Sequence, residues 1–270
     1  MIATQRKSND GDARADVVAI DIGNTRTALA AVAGLDAVEP CSVSTSDFDG
    51  LVKAAEAAWA RLASPDRGTV VVASVVPKVL GKLRGVVESK FDRRLLVIRQ
   101  DIPLPMEVDV ENPDTVGVDR VCCAAAAYDR LAEACTIVDF GTAVTIDCVS
   151  DEGVFLGGAI LPGPDLACRA LNEFTAALPL VAVEEPQDPI GRNTTDAIRS
   201  GVLYGVVGAV RELTERYATK LGRWPHLVAT GGGAEMVARA CQFVDSVVPY
   251  LSLRGVALAY RKHRIEQSQL

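Results

Sequence analysis

The chain has 270 residues, 49% hydrophobic and 23% charged, with a net charge of -7; this is the mix of a globular protein with room for two modest domains or one large one. The acidic balance argues against a nucleic-acid-binding surface, which would be basic. No apolar run is long enough to span a bilayer, and the two histidines, His226 and His263, have no neighbour at metal-ligand spacing, which speaks against a zinc site or a histidine triad.

Residues 1–16 are polar and lack the apolar core of a signal peptide, so they read as a disordered tail, and the cytoplasm is the expected compartment. A short apolar run, Val17 to Ile20, leads into Asp21-Ile22-Gly23-Asn24-Thr25-Arg26-Thr27 and then a second run, Ala28 to Val32. After a turn and a third run, Leu51, Ala54, Ala55, Ala58 and Leu62 recur at helical spacing, with Ser46 as N-cap and Gly68 as terminator. Thr69 to Val76 is a β-branched central strand, Pro77 opens a helix through Leu80, Leu83, Val87 and Phe91, and Leu95 to Ile98 is a short strand. Pro103, Pro105 and Pro113 mark an irregular connection.

The second half repeats this order. An alanine-rich helix runs from Gly117-Val118-Asp119-Arg120 to Ala134, and a strand from Thr136 enters Asp139-Phe140-Gly141-Thr142. Two further strands follow, ending at Pro162-Gly163. A helix is predicted from about Pro164 to Leu178, a loop from Pro179 to Arg192, and a long helix from Thr194. His226 to Thr230 is a strand ending in Gly231-Gly232-Gly233. A short helix, a strand near Val244 to Val248 and a last helix from about Leu253 complete the chain. Strands alternating with helices, in the same order twice, predict an α/β protein with two mixed sheets. The seven cysteines are odd in number, form no C-x-x-C and sit mostly in apolar runs, as small buried hydrophobes of a reducing compartment do.

The two acid–Gly–Thr hairpins carry the chemistry. Glycine lets the backbone approach an anion, and the turn amides then point at it. Asn24, Thr25 and Thr27 add side-chain donors, and Asp21 suits water around Mg²⁺. Alone, Gly-Asn is also ordinary hairpin-turn chemistry; the second copy at Asp139 favours a nucleotide. Gly231-Gly232-Gly233 fits either a nucleoside lying on backbone or a flexible turn. Asp119 beside Arg120 at a helix start pairs a proton acceptor with an anion holder, although a capping aspartate next to a surface arginine has the same sequence. Gly201, Gly205 and Gly208 share one helix face, which suits close packing within the chain or against a second copy.

The order acid–Gly–Thr, acid–Gly–Thr, Thr-Gly-Gly resembles the acetate kinase, sugar kinase, heat-shock ATPase and actin superfamily. More specifically, the chain resembles the type III pantothenate kinases. It does so in Asp21-Ile22-Gly23-Asn24-Thr25, Ala73-Ser74-Val75-Val76-Pro77, Asn112-Pro113-x-x-Val116-Gly117-x-Asp119-Arg120 and Asp139-Phe140-Gly141-Thr142-Ala143. Gly157-Gly158-Ala159-Ile160-x-Pro162-Gly163, Leu178-Pro179, Ile190-Gly191-x-Asn193-Thr194 and Thr230-Gly231-Gly232 follow in order. The resemblance implies two tandem actin-like (ribonuclease H-like) domains, at 17–116 and 117–252, each a mixed five-stranded sheet with flanking helices. Residues 253–270 would form a C-terminal helix and tail, and ATP would bind in the cleft between the domains. It implies ATP-dependent phosphorylation of the primary hydroxyl of pantothenate, the entry to coenzyme A, with Mg²⁺ and a monovalent cation, K⁺ or NH₄⁺.

By the same resemblance Asp21, Ile22, Gly23, Asn24, Thr25, Arg26, Thr27 and Ala28 form the phosphate loop, and Thr142 is a second nucleotide contact. Asp119 matches the proton acceptor, and Asp139 the ligand of the monovalent cation. Gly117, Val118, Asp119 and Arg120 line the pantothenate site, Thr194 is a further substrate contact, and a homodimer completes the pocket. The chain departs from the family pattern at Val110, where a substrate-contacting tyrosine is common, at Gly233, where leucine is usual, and at Val118, in place of alanine. A regulator on the same fold, or a kinase for another small hydroxyl acceptor, are the alternative readings.

Overall fold

A computed structural model describes residues 15–269; of the tail read over residues 1–16, only Ala15 and Asp16 fall within them, and they open the first strand. The first half comprises β1 (Ala15–Ile22), β2 (Arg26–Ala33), β3 (Asp36–Ser44), α1 (Phe48–Trp59), β4 (Thr69–Ser74), α2 (Pro77–Phe91) and β5 (Leu95–Val97). The second comprises α3 (Val118–Leu131), β6 (Cys135–Phe140), β7 (Ala143–Val149), β8 (Phe155–Pro162), α4 (Pro164–Glu173), α5 (Thr194–Leu221), β9 (His226–Thr230), α6 (Ala234–Ala240), β10 (Ser246–Val247) and α7 (Leu251–Ser268).

Two five-stranded sheets form, in the orders β3-β2-β1-β4-β5 and β8-β7-β6-β9-β10. In each, the first three strands are antiparallel and the last two join in parallel. Hairpins give antiparallel neighbours and helical crossovers give parallel ones. The same topology twice is the actin-like architecture expected from the sequence, and it is borne out.

Strand alternation decides what each sheet face buries. On β1, Val18, Ile20 and Ile22 join Leu51, Ala55, Leu83 and Val87 beneath α1 and α2. Val17 and Ala19 face the other way, onto Val118 and Cys122 of α3 and Leu253, Val256 and Ala257 of α7. On β6, Val138 and Phe140 pack against Leu203, Val206 and Val210 of α5, whereas Cys135 and Ile137 pack against the α3 alanines. Thus α3 and α7 lie between the sheets. They approach so closely that a Cβ at Gly255 would fall 2.0 Å from the Cys122 carbonyl oxygen.

Several element ends differ from expectation. Asp47, not Ser46, caps α1: its carboxylate accepts from the Gly50 amide at 2.9 Å. That helix stops at Trp59, and a 3₁₀ turn at Pro65–Arg67 precedes Gly68. Ala132 ends α3 in the left-handed region (φ 52°), short of Ala134. α4 stops at Glu173 because the Thr175 hydroxyl donates to the Leu171 carbonyl at 2.6 Å and accepts from Leu178 N at 3.3 Å, turning the chain. β4 and β10 are shorter than predicted, and α7 begins at Leu251.

Candidate active site

Asp21 and Asp139 take the same place in the two halves, the next inward position after Ala19 on β1 and after Ile137 on β6. By alternation both carboxylates turn toward the α3/α7 layer. The first turn of α3 supplies Asp119 and that of α7 supplies Ser252. Three acids thus converge where two sheets and two helix starts meet.

Their electrostatics follow. Burial pushes the Asp21 carboxyl up to about 7, repulsion from Asp119 and Asp139 adds to the rise, and a hydrogen bond from the Ser252 hydroxyl opposes it. Asp21 Oδ1 is buried without a hydrogen-bond partner. Asp139 is likewise pushed up to about 7 by burial, then by Asp119 and Asp147. Burial also raises Asp119, against the lowering effect of the Arg120 amide, which donates to Asp119 Oδ1 at 2.9 Å. Such a cluster holds its carboxylates ionised at neutral pH only if cations or donors arrive to face them.

Each acid is followed by a tight turn. Gly23 N donates to the Arg26 carbonyl at 3.1 Å, and Gly141 N to the Ala143 carbonyl at 3.1 Å. The two turns touch: the Thr142 hydroxyl donates to the Thr25 hydroxyl at 2.7 Å. Asn24 and Thr25 are exposed at this meeting point. Thr27 is buried and shares its hydroxyl with Thr45 at 3.0 Å, while Thr45 also donates to the Gly23 carbonyl at 2.8 Å. Ile22 belongs to the core beneath α1, and Ala28 is partly buried on the opposite face. Arg26 turns to β3, donating to the Ser42 hydroxyl and carbonyl, each at 2.8 Å. The loop side chains open to a ligand are therefore those of Asn24 and Thr25.

Glycines clasp the second turn. Gly231 has φ +90°, and a Cβ there would lie 2.3 Å from Asp139 Oδ1. A Cβ at Gly163 would lie 2.3 Å from the Gly141 carbonyl oxygen, and Gly163 N donates to the Thr142 carbonyl at 3.0 Å. Gly233 N donates to the Phe140 carbonyl at 3.1 Å. The Thr-Gly-Gly-Gly stretch is therefore a close backbone approach to the acid hairpin.

Gly117 is the N-cap of α3, where a Cβ would fall 2.4 Å from Asp119 Oδ1. Val118 is buried between α3 and the first sheet. Arg120 reaches across to a fourth acid, Asp147 on β7, and its guanidinium carbon lies 5.5 Å from the Phe155 ring centroid. Val110 packs in the same cluster as Phe155, its methyl 3.4 Å from where a Gly157 Cβ would be. Thr194 lies elsewhere, at the start of α5 on the wall of an apolar groove of about 830 Å³ shared with Leu161, Leu171, Phe174 and Ile198. Sequence reading missed Asp147 and Ser252. An acid inside the apolar run Val144 to Val149 was a signal for the first; Leu-Ser-Leu gave none for the second.

The model of the type III pantothenate kinase family matches residues 17–216. The chain belongs to the type III pantothenate kinase family. Among relatives of this kinase family named type III pantothenate kinase, that of Anaeromyxobacter sp. (strain K) is 36% identical over 253 residues, covering 92% of this chain and 100% of the relative. That of Dehalococcoides mccartyi (strain ATCC BAA-2266 / KCTC 15142 / 195) is 39% identical over 195 residues, 72% of this chain and 76% of the relative. Two solved structures share the fold. A protein described as a Baf family transcriptional activator from Campylobacter jejuni has a TM-score of 0.60 at 20% identity, over 94% of this chain and 100% of that one. The ethanolamine utilization protein EutJ of Carboxydothermus hydrogenoformans has a TM-score of 0.51 at 16% identity, over 90% and 89%.

Proposed function

We infer that this type III pantothenate kinase family member transfers the γ-phosphoryl group of ATP to the primary hydroxyl of pantothenate, giving 4'-phosphopantothenate and ADP at the entry to coenzyme A. The observation that carries the reading is the convergence of Asp21, Asp119 and Asp139 behind two touching Gly–Thr turns. Phosphoryl transfer asks the protein for positioning and charge placement more than for covalent chemistry.

The turn of Asp21 to Ala28 receives the phosphates through its amides and through Asn24 and Thr25, with Thr142 as the contact from the other half. Asp119 accepts the proton of the pantothenate hydroxyl as its oxygen bonds to phosphorus and the bond to the ADP oxygen breaks. A carboxyl raised by burial suits that task near neutral pH. Gly117, Val118 and Arg120 frame the acceptor, Arg120 facing its carboxylate, and Val110 adds an apolar wall where a hydroxyl would otherwise stand.

Among the described residues no set of three or more side chains is spaced to hold a metal ion alone. The unpartnered Asp21 Oδ1 fits a Mg²⁺ ion that arrives with the nucleotide and is held through water. Such an ion neutralises phosphate charge. A monovalent cation, K⁺ or NH₄⁺, at Asp139 is supported by a half-buried carboxylate that faces Asp119 and Asp147.

A homodimer completes the reading. Phe174, Leu180, Ile190 and Tyr204 are exposed, Phe174 by 80%. A Cβ at Gly201, Gly205 or Gly208 would meet nothing within 4 Å, so close packing within the chain does not account for those glycines. A second copy seated in this groove would cover Thr194 on its wall, and the family resemblance gives Thr194 a contact with the acceptor. Among the described residues no helix is long and apolar enough to cross a membrane, in keeping with a cytoplasmic enzyme.

The test is transfer of label from γ-³²P-labelled ATP to pantothenate with Mg²⁺ and K⁺. Labelled phosphopantothenate is the expected product. Its absence while ATP still binds would overturn the assignment and favour another acceptor or a regulatory role.

A further inference from the structure

Asp147 has no part in the roles assigned above, yet it is held by several neighbours at once. It sits on β7 opposite Ile137 of β6 and Gly158 of β8. Its side chain is 1% exposed and that of Arg120 is 15% exposed. Arg120 Nε donates to Asp147 Oδ1 at 3.0 Å and to Oδ2 at 3.3 Å, and Nη2 also bonds Oδ1. The side edge of the guanidinium is thus fully engaged, and its plane lies beside the Phe155 ring.

The surroundings hold Asp147 in turn. A Cβ at Gly158 would lie 2.1 Å from the Ile146 carbonyl oxygen and 2.7 Å from Asp147 Oδ1, so glycine is what lets β8 close over the carboxylate. The Thr145 hydroxyl, two residues before it on the same strand, helps to hold its carboxyl down. Asp119 and Asp139 are the other acids near it; Asp119 raises its carboxyl, and Asp147 in turn raises that of Asp139. Arg120 therefore has one carboxylate fixing one edge, one ring fixing its plane, and Nη1 without a hydrogen-bond partner among the described residues.

A guanidinium on a long side chain loses much rotamer freedom on binding an anion. Fixing it beforehand removes that cost and aims the free edge. We propose that Asp147, itself steadied by Thr145, is a positioning residue that locks Arg120 so that its outer Nη1 edge meets the carboxylate of the acceptor. This rests on the reading of Arg120 as part of the pantothenate site. It also makes Arg120 and Asp147 act as one unit. The pair is close to neutral, so it recognises the acceptor by the direction of its donors more than by net charge.

The experiment is steady-state kinetics on Asp147→Asn, Arg120→Met and the double variant, with thermal melting of each. Asp147→Asn keeps shape but gives up the charge-assisted fork, and should raise KM for pantothenate by about tenfold while kcat and KM for ATP move less than about threefold. The double variant should be within about twofold of Arg120→Met, because both changes remove one contact. A folded Asp147→Asn whose pantothenate KM stays within about twofold of the parent overturns the proposal. So do losses that multiply in the double variant, or an equal fall in every kinetic constant. Should Asp147→Asn fail to fold, the near-isosteric Thr145→Val takes its place, with a pantothenate KM raised about threefold as the expected result and an unchanged one refuting. Turnover by the parent separates the two levels. If the parent makes no phosphopantothenate, the acceptor reading and this proposal fall together; if it does and the variants are unmoved, only the role of Asp147 falls.

Discussion

Replacing Asp21 by asparagine should stabilise the ligand-free protein at pH 8 while abolishing its activity. The Asp21 carboxyl is pushed up to about 7 from an ordinary value of 3.8, mainly by burial and then by Asp119 and Asp139, and Oδ1 has no partner. A raised value means that the folded protein holds the proton more tightly than the unfolded chain does. The stability this contributes is complete below pH 3.8 and is lost as pH rises through about 7. The ceiling of that loss is on the order of 4 kcal/mol, since each tenfold gain in proton affinity is worth about 1.4 kcal/mol. Water entry and local relaxation bring a realistic figure to about 2 kcal/mol, or roughly 4–8 °C in melting temperature for a chain of this size. Asparagine keeps the shape without the charge and also relieves Asp119 and Asp139, whose protons are coupled to it. Melting scans from pH 4 to pH 8, without Mg²⁺ or nucleotide, should therefore show a gap in favour of Asp21→Asn that opens as pH rises. A variant that melts below the parent at pH 8, or a gap that ignores pH, would refute this account of the cluster.

Asp119→Asn should abolish phosphoryl transfer and leave nucleotide affinity within about twofold, as read by equilibrium binding, because the role proposed for the lost group is on the acceptor's proton. Gly231→Ala places a methyl 2.3 Å from Asp139 Oδ1 at a φ of +90°; a loss of roughly 2–4 kcal/mol in denaturant unfolding is expected, with activity falling alongside. Rates with tetramethylammonium as the only monovalent cation should be low and should recover on adding K⁺; equal rates would remove that role from Asp139. If the parent sediments as the proposed dimer, Phe174→Glu, which puts a charge on an 80% exposed ring position, should convert it to monomers, an unchanged mass arguing that the groove is not the interface.

Much of the fold was legible because its signals are local. The short unbroken apolar runs Val17 to Ile20 and Thr136 to Val138 mark strands that bury both faces, and Pro77 and Asn193 mark helix starts where helices do start. The acid–Gly–Thr turns were legible for the same reason. Cap choice was not: Ser46 and Asp47 are adjacent oxygen-bearing side chains, and only the backbone path decides which one faces the Gly50 amide. Nor could sequence tell that Thr27 would be spent on Thr45, or that Arg26 would turn to Ser42. Ser252 and Asp147 act on residues 231 and 27 positions away in the chain, contacts that exist only once α7 lies on the first sheet and β7 faces α3.

The duplicated hairpin also shows how one local pattern is turned to two ends. Asp21 and Asp139 leave their strands at matching positions and are buried alike, so the pattern alone assigns them no difference. What differs is the backing. Asp21 has a hydroxyl donor from α7 and one oxygen left bare, an arrangement suited to a ligand that comes and goes with its own positive charge. Asp139 is set tight against Gly231, and the turn beside it against Gly163, so the backbone around this acid leaves no room for added side chains. In the proposed roles, the bare buried oxygen of Asp21 answers to a cation that arrives with the nucleotide, and Asp139, set against glycine backbone, to a resident one. The asymmetry originates in the two helix starts and the glycines that follow the hairpins, not in the hairpins themselves, and substitutions at Ser252 and Gly231 should therefore separate the two acids in function where substitutions within the turns would not.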